Sequence, residues 1–383
     1  MSQKRSIFEE VSSEAAATKA APTPGLIDKG KDGARRAVRL WLLVLFFLVF
    51  LMIIVGGLTR LTDSGLSITE WAPVTGAIPP LSAADWDLEF EKYRAIPEYQ
   101  LQNKGMSLAE FKVIYWWEWG HRQLGRVIGL VWALGFLFFL VTRKIPTGWT
   151  GRLLLLGVLG GTQGAIGWWM VSSGLTGTML DVASYRLATH LGLAFVILGL
   201  IAVYMFALKR PERELMQARR TREAGLSGMA ALLVGVTFVQ ILIGALVAGI
   251  DAGRSYTEWP LMGGAFLPPS MWDLEPIWRN FFENAGTVQF VHRVWGYLAF
   301  ALAIAVWLAA RRSSFDKTKS TGTFMLAIFF VQIALGIITV LHAAPWYLAI
   351  VHQIVAVKLW VLILRLRHLA RYPIAQSIRG TSA

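Results

Sequence analysis

Eight stretches of largely apolar residues, each about 20 residues long, restrict this sequence to one class of fold. About 20 consecutive apolar residues are needed for a helix to cross the hydrocarbon core of a bilayer. Inside a membrane every backbone polar group must be bonded within the protein, which favours helices for segments of this length. We therefore predict an all-α integral membrane protein with spans at about 39–59, 121–141, 153–171, 187–207, 229–249, 290–309, 324–341 and 347–364.

The basic residues alternate between the connecting segments and predict the orientation. Of the 37 Lys and Arg residues, 25 lie in five segments, at 1–40, 142–152, 208–224, 309–321 and 364–383. By the positive-inside rule these segments and both termini are cytoplasmic. Two long outer loops, at about 60–114 and 250–289, then face the opposite side. The net charge of +13 is accounted for by orientation and does not indicate a nucleic-acid partner.

The spans and the charges together predict five regions. Residues 1–37, before the first span, lack the apolar core of a signal peptide and have the composition of a flexible tail. The regions are a cytoplasmic tail at 1–37, an N-terminal four-helix bundle at 38–208, a basic cytoplasmic linker at 209–227, a C-terminal four-helix bundle at 228–368 and a cytoplasmic tail at 369–383.

The two predicted bundles are copies of each other. Matching residues recur in the same order after the first and fifth spans, in the second and sixth, in the third and seventh, and in the fourth and eighth. Because each half holds an even number of spans, both copies share one orientation, which predicts pseudo-twofold symmetry along the membrane normal. The matches include Asp63 with Asp251, Glu70-Trp71 with Glu258-Trp259, His121-Arg122 with His292-Arg293, Gln163 with Gln332, Gly167 with Gly336, and His190 with His352.

Four of the six histidines belong to this repeat, and each falls near the outer end of an even-numbered span. They are His121, His190, His292 and His352. Two imidazoles at similar depth on two helices of one bundle suit a haem bound on both faces, since bundle cores are built for cofactors. Intramembrane ionisable residues are costly and usually functional, although a single histidine near a helix end is often only a hydrogen-bonding residue. The matched pairs favour ligation of haem iron.

Other metal sites fit this sequence less well. Zinc and copper require three or four ligands close together, and no two histidines have a spacing of three or four residues. The chain contains no cysteine, which excludes disulfides, thiolate-held clusters, covalent c-type haem and a catalytic thiol.

Four further residues lie beside these candidate ligands. Arg122 and Arg293 each follow a histidine and could bind haem propionates through charge-assisted bonds; anchoring at the membrane interface explains them equally well. Three residues before its histidine, the N-terminal half has Glu118 and the C-terminal half has Gln289. If this end is helical, Glu118 shares a face with His121. A carboxylate can transfer protons and an amide cannot, so the contrast favours a catalytic role over an exposed acid.

From about residue 38 to 368 the sequence resembles the heme A synthase family. The similarity depends on Gly56-Gly57, Thr59-Arg60, Ser64-Gly65-Leu66-Ser67, Glu118-Trp119-Gly120-His121-Arg122, Thr189-His190, Val291-His292-Arg293 and Val351-His352-Gln353. The cysteine pair found in many members is absent here, so a thiol role in electron or haem transfer is not available.

The resemblance implies oxidation of the C8 methyl group of haem O to a formyl group, giving haem A for aa3-type oxidases. It places haem O at His121 and His190 with Glu118 as the catalytic acid, and a cofactor haem b at His292 and His352. It further implies a bacterial inner membrane location with the haem sites toward the periplasm, a membrane prenyltransferase that supplies haem O, oxidase assembly factors as partners, and an unknown electron acceptor. The oligomeric state stays open, with a homo-oligomer among the alternatives.

Two other classes of protein compete with this interpretation. An electron-carrying membrane cytochrome b, such as a quinol dehydrogenase subunit, would also use histidine pairs but would need no contrast between Glu118 and Gln289. A transporter built from a parallel repeat would explain the duplication but not four matched histidines at one depth. The haem content of the purified protein separates these classes.

Overall fold

The computed structural model describes residues 32–177 and 179–375, and within them all regular structure is helical apart from one isolated bridge between Met262 and Ala265. Eight helices are long and apolar enough to cross a membrane, which confirms the predicted number of spans. In chain order they are α1 (Asp32–Leu61), α2 (Leu108–Val141), α3 (Thr150–Val171), α4 (Ser184–Leu208), α5 (Ala224–Gly249), α6 (Ala285–Arg311), α7 (Asp316–Leu341) and α8 (Trp346–Arg371).

The surface of these helices suits a lipid environment. Large apolar side chains such as Phe47, Leu134 and Phe330 are exposed along their length. A soluble protein rarely exposes contiguous apolar surface of this extent, so the exposed rows indicate the faces that contact acyl chains.

Most of the predicted N-terminal tail lies outside the described residues, and residues 32–37 form the first turns of α1. The predicted linker at 209–227 contains a short helix, Glu212–Arg220, and the start of α5. The predicted tail at 369–383 begins inside α8, and residues 376–383 lie outside the described residues.

Each set of four helices packs in the same order. In the first set α1 and α3 both contact α2 and α4, and in the second set α5 and α7 both contact α6 and α8. The two sets meet through α4 against α5 and α8, and through α1 against α8. This packing agrees with two four-helix units. The pseudo-twofold relation between them remains a prediction.

We call the side of the molecule formed by residues 62–107, 172–177, 179–183, 250–284 and 342–345 the histidine side, because all four repeat-matched histidines lie toward it. The segment between α1 and α2 contains the helices Ala83–Arg94 and Pro97–Leu101. The first begins at a capping box, in which Ser82 Oγ accepts from Asp85 N at 3.1 Å and Ser82 N donates to Asp85 Oδ2 at 2.9 Å. Such a box satisfies two backbone donors that the first helical turn leaves free.

An aromatic cluster fixes this segment onto the start of α2. Phe90 stacks on Phe111 with ring centroids 4.9 Å apart, and Trp86 contacts Tyr115 edge to face at 5.0 Å. Ser107 and Glu110 form a second capping box that begins α2 well before its apolar part. The segment therefore has its own small core, which holds it against the first turns of α2.

Polar contacts join the two sets of helices. Arg60, at the end of α1, forms ion pairs with Asp63 and Asp181 of its own half and with Asp251 of the other half, at 2.9 to 3.2 Å. Deeper in the molecule, Gln353 Nε2 donates to Ile53 O at 2.7 Å, and Trp360 Nε1 donates to Phe195 O at 3.0 Å. Buried donors of this kind fix the relative position of the helices, since leaving them unpaired is costly.

Candidate functional site

The structure brings the four repeat-matched histidines together as two pairs. His121 on α2 and His190 on α4 lie on helices that both pack against α1 and α3, and His292 on α6 and His352 on α8 lie on helices that both pack against α5 and α7. All four side chains are half-buried. That the two imidazoles of each half lie at one depth and ligate one haem remains a prediction.

A glycine on a neighbouring helix makes room for each imidazole. A Cβ atom at Gly167 would lie 2.8 Å from His190 Cε1, and one at Gly244 would lie 3.0 Å from His292 Cε1. The corresponding distances are 3.3 Å from Gly56 to His121 Nε2 and 3.1 Å from Gly336 to His352 Cε1. Any larger residue at these positions would press on the ring. Only the pair of Gly167 and Gly336 appeared in the predicted repeat.

Three of the four imidazoles also contact a glutamine, one turn before the glycine on the same neighbouring helix. The amide Nε2 lies 3.1 to 3.3 Å from both ring nitrogens in each case. Among the described residues the amide Oε1 of each glutamine has no hydrogen-bond partner. The pairs are Gln163 with His190, Gln240 with His292, and Gln332 with His352.

These surroundings fit a haem ligated by each pair. A ligating imidazole is usually held by neighbouring groups that fix the orientation of its ring. The amides of Gln163, Gln240 and Gln332 lie against three of the rings, and the Nε2 atoms of Gln163 and Gln240 also donate to the backbone oxygen of the same histidine at 3.0 Å. The glycines leave the rings free of steric contact from the helix behind them. No cluster of three His, Asp or Glu side chains that could hold a bare metal ion occurs in the part of the chain that the structure describes.

Glu118 is buried at the histidine side and bonds to the segment that follows α1. Its Oε2 accepts from Ser67 Oγ at 2.8 Å and from Ile68 N at 2.6 Å, and its Oε1 accepts from Arg122 Nε at 3.0 Å and Nη2 at 2.6 Å. Arg122 also donates to the carbonyl oxygens of Ile68 and Glu70. This end of α2 is helical, as the prediction about Glu118 required. Both carboxylate oxygens are bound by these donors, and no hydrogen bond to His121 is among their contacts.

The matching position in the other half bonds to the matching loop residue, but as a donor to its carbonyl oxygen and without a charge. Gln289 is buried, and its Nε2 donates to Tyr256 O at 3.0 Å. Arg293 donates to the carbonyl oxygens of Tyr256 and Glu258, as Arg122 does at the corresponding residues. The ion pair between Glu118 and Arg122 therefore has no equivalent at Gln289.

A second buried acid near Glu118 was not predicted from the sequence. Glu98, on the short helix Pro97–Leu101, is 3% exposed, and its Oε1 accepts from Asn103 Nδ2 at 3.4 Å. Burial raises the pKa of Glu98 to about 8, and the negative charges of Asp181, Asp63 and Glu118 add to this shift. The sequence assigned nothing to this segment, because an acid in a polar loop gives no sign of being buried by the aromatic cluster beside it.

Comparison with known proteins shows which family the sequence is similar to. Residues 39–364 match the model of a family described as cytochrome oxidase assembly protein. Over the full length of both chains the sequence is 70% identical to heme A synthase of Dinoroseobacter shibae. It is 62% identical to heme A synthase of Paracoccus denitrificans over 99% of each chain, and 58% identical to that of Cereibacter sphaeroides over 98% of each chain.

Proposed function

Because the chain belongs to the heme A synthase family, we propose that it oxidises the C8 methyl group of haem O to a formyl group and so makes haem A. The observation that carries this proposal is the two pairs of imidazoles, each backed by glycine on a neighbouring helix. An enzyme that binds one haem as substrate and another as cofactor requires two such sites.

The N-terminal pair, His121 and His190, is proposed to hold the substrate haem O. The C-terminal pair, His292 and His352, is proposed to hold a resident haem b. The assignment is supported by a contrast at matching positions, where Glu118 forms an ion pair with Arg122 and Gln289 is neutral. Proton handling is needed where a methyl group is oxidised and is not needed where a cofactor only carries electrons.

Haem b, when bound, supplies one-electron redox chemistry, and converting a methyl group to an aldehyde removes four electrons. The chain itself supplies position and proton transfer. His121 and His190 orient the substrate. Glu118, three residues before His121 on α2, is the candidate proton acceptor. Ser67 and Arg122 hold the Glu118 carboxylate in place, because together they donate to both of its oxygens.

Arg122 and Arg293 remain candidates for contacts with haem propionates. In the structure their guanidinium groups bond to loop carbonyl oxygens, and Arg122 also pairs with Glu118. A propionate would have to share these donors. If it does so, the substrate's carboxylate and the catalytic carboxylate are linked through one arginine.

The eight helices place this reaction in a membrane. Haem O carries a farnesyl tail, so we propose that it enters laterally from the bilayer after a membrane prenyltransferase has made it. By the distribution of basic residues both termini face the cytoplasm, and the histidine side faces the periplasm of a bacterial inner membrane. Oxidase assembly factors are proposed to receive the haem A product.

The proposal is tested by expressing the chain in cells that make haem O but lack heme A synthase. We expect haem A in acid extracts separated by chromatography, and haem B together with haem O or haem A in the purified protein. Haem B alone, with no haem A in the cells, would contradict the proposal and favour an electron-carrying cytochrome b.

A further inference from the structure

His121 differs from the other three histidines in what lies behind its ring. Aligning α1 with α5 through Asp63 and Asp251 places Gly56 at the position of Gly244, and Met52 at the position of Gln240. His121 therefore has the glycine that the other imidazoles have, but a thioether stands where they have an amide.

The structure shows that Met52 occupies the same place as Gln240. A Cβ atom at Gly125 on α2 would lie 3.5 Å from Met52 Cε. At the matching Gly296 on α6, a Cβ atom would lie 3.3 Å from Gln240 Nε2. The two side chains thus fill equivalent positions against equivalent helices, and only their chemistry differs.

This difference changes how firmly an imidazole is held. A side chain that holds a ligating imidazole in place fixes the ring orientation, and loss of such a partner typically lowers metal affinity about 10- to 100-fold. The amide Nε2 of each glutamine lies against its ring, and in Gln163 and Gln240 it also donates to the backbone oxygen of the same histidine at 3.0 Å. A methionine thioether on a flexible side chain has no hydrogen to donate. His121 consequently lacks the support that Gln163, Gln240 and Gln332 give to the other three rings.

We infer that Met52 makes His121 the releasable ligand of the N-terminal half, whereas both ligands of the C-terminal half are held by glutamine. The inference rests on the proposed function, in which the N-terminal half binds a substrate that must leave as product and the C-terminal half keeps its cofactor. Met52 acts here as a positioning residue, because it occupies the place where a glutamine would hold the His121 ring.

The test measures haem release from the full-length protein in detergent, loaded with iron protoporphyrin IX and mixed with excess apomyoglobin as acceptor. Wild-type protein is expected to release haem in a fast phase and a slow phase. Met52→Gln should slow the fast phase about 10- to 100-fold, and Gln240→Met should accelerate the slow phase by a similar factor. Met52→Leu, which is apolar and of similar size, should release haem at the wild-type rates.

A spectroscopic readout separates positioning from packing. A ring held in one orientation by an amide ligates iron differently from a ring that is free to turn, so Met52→Gln should shift the midpoint potential of the fast-releasing haem relative to Met52→Leu. Equal release rates and potentials in Met52→Gln and Met52→Leu would overturn the inference, as would a Gln240→Met protein whose slow phase is unchanged. The Gln240→Met arm stands even if Met52→Gln fails to fold.

These measurements do not require turnover. A chain that makes no haem A but shows the expected release rates contradicts the proposed function alone. A chain that makes haem A but releases haem equally in Met52→Gln and Met52→Leu contradicts only the inference about Met52.

Discussion

Glu118 and Gln289 show how one residue can separate two otherwise similar sites. Each side chain bonds to the segment after the first helix of its own half, and each is followed by an arginine that donates to the same segment. The surrounding backbone is therefore held in both halves whether the residue is charged or neutral. What Glu118 adds is a buried carboxylate paired with Arg122 at 2.6 Å.

We predict that Glu118→Gln will bind both haems but make almost no haem A. The change keeps the size of the side chain and removes the proton acceptor. General acid–base catalysis typically contributes about 10²- to 10⁴-fold, so haem A formation should fall by a factor in this range, with haem O or a hydroxylated intermediate accumulating. The measurement is the amount of each haem extracted from cells that lack the native enzyme.

Two further variants make this test specific. Gln289→Glu should not create a second active half, because in the proposed assignment that pocket is filled by the resident haem b. Ser67→Ala removes one donor to Glu118 Oε2 but keeps the carboxylate, so its loss of activity should be much smaller than that of Glu118→Gln. Wild-type haem A levels in Glu118→Gln would leave Glu118 with a structural role only.

Glu98 predicts a pH dependence of stability. Its pKa is raised to about 8 in the folded protein, from an ordinary value of 4.5. Between these values the unfolded chain releases a proton that the folded protein keeps, so the free energy of unfolding should fall as pH rises from about 4.5 to 8, by up to about 1.4 kcal/mol per pH unit. Thermal unfolding of detergent-solubilised protein across this range should show the decline, and Glu98→Gln should reduce it.

Glu91→Gln is the control for Glu98→Gln. It removes one negative charge from the same segment at an exposed side chain that pairs with Arg94. The pH dependence should persist in this variant. If Glu98→Gln and wild type decline equally with pH, Glu98 is not the group that titrates.

At the scale of helices, the glycine positions determine where a ring can lie. We predict that Gly167→Ala will lower the haem content of the N-terminal half, because the new Cβ would lie 2.8 Å from His190 Cε1 and the ring must move. Gly336→Ala should have a smaller effect on the other half, since its Cβ would lie 3.1 Å from His352 Cε1. Haem content is measured as the pyridine haemochrome after purification.

Gly164→Ala, three residues before Gly167 on α3, provides the matched control. Nothing lies within 4 Å of a Cβ atom at this position. Alanine favours a helix over glycine by about 1 kcal/mol, so this variant should keep its haem and unfold no more easily than wild type. An equal loss of haem in Gly164→Ala and Gly167→Ala would show that helix stability, and not contact with His190, controls binding.

The sequence predicted the number of helices well because a membrane span has a strong physical signature. It placed the start of the second span at 121, whereas α2 begins at Leu108. The additional turns contain Glu110, Lys112 and Glu118, which a hydropathy pattern excludes. Their helical state comes from the capping box at Ser107 and from aromatic packing against the segment before it, and neither contributes to hydropathy.

The sequence likewise predicted only those features of the site that leave a pattern in it. The four histidines and the contrast at Glu118 were visible because they repeat or break a repeat in the sequence. The glutamine contacts were not predicted, although Gln163 and Gln332 had been matched, since a polar residue in a span does not show which helix it faces. Aligning α1 with α5 over Met52 and Gln240 would have revealed the exception at His121.

At the scale of the whole molecule, the two halves share structural contacts but keep their histidine pairs apart. Arg60 of the first half pairs with Asp251 of the second, and Gln353 of the second donates to Ile53 of the first. These contacts join α1 to the second set of helices, while the two histidines of each pair lie on helices of the same half. Loss of one haem therefore need not remove the other.

We predict on this basis that the two haems can be deleted separately. His292→Ala or His352→Ala should remove the tightly held haem b, because one imidazole cannot keep a low-spin iron ligated on both faces. His121→Ala or His190→Ala should leave haem b in place and abolish haem A formation. The visible spectrum of each purified variant reports the low-spin haem, and extraction from cells reports haem A.

His342→Ala is the control for these four variants, since His342 is exposed and its Nδ1 contacts Ile338 O of its own helix at 2.9 Å. It should retain both haems. A folded His121→Ala protein that has lost all haem would indicate one site shared between the halves, because the helix contacts that join them do not pass through His121. Retention of a full low-spin spectrum in His292→Ala or His352→Ala would place haem b elsewhere and reverse the assignment of the two halves.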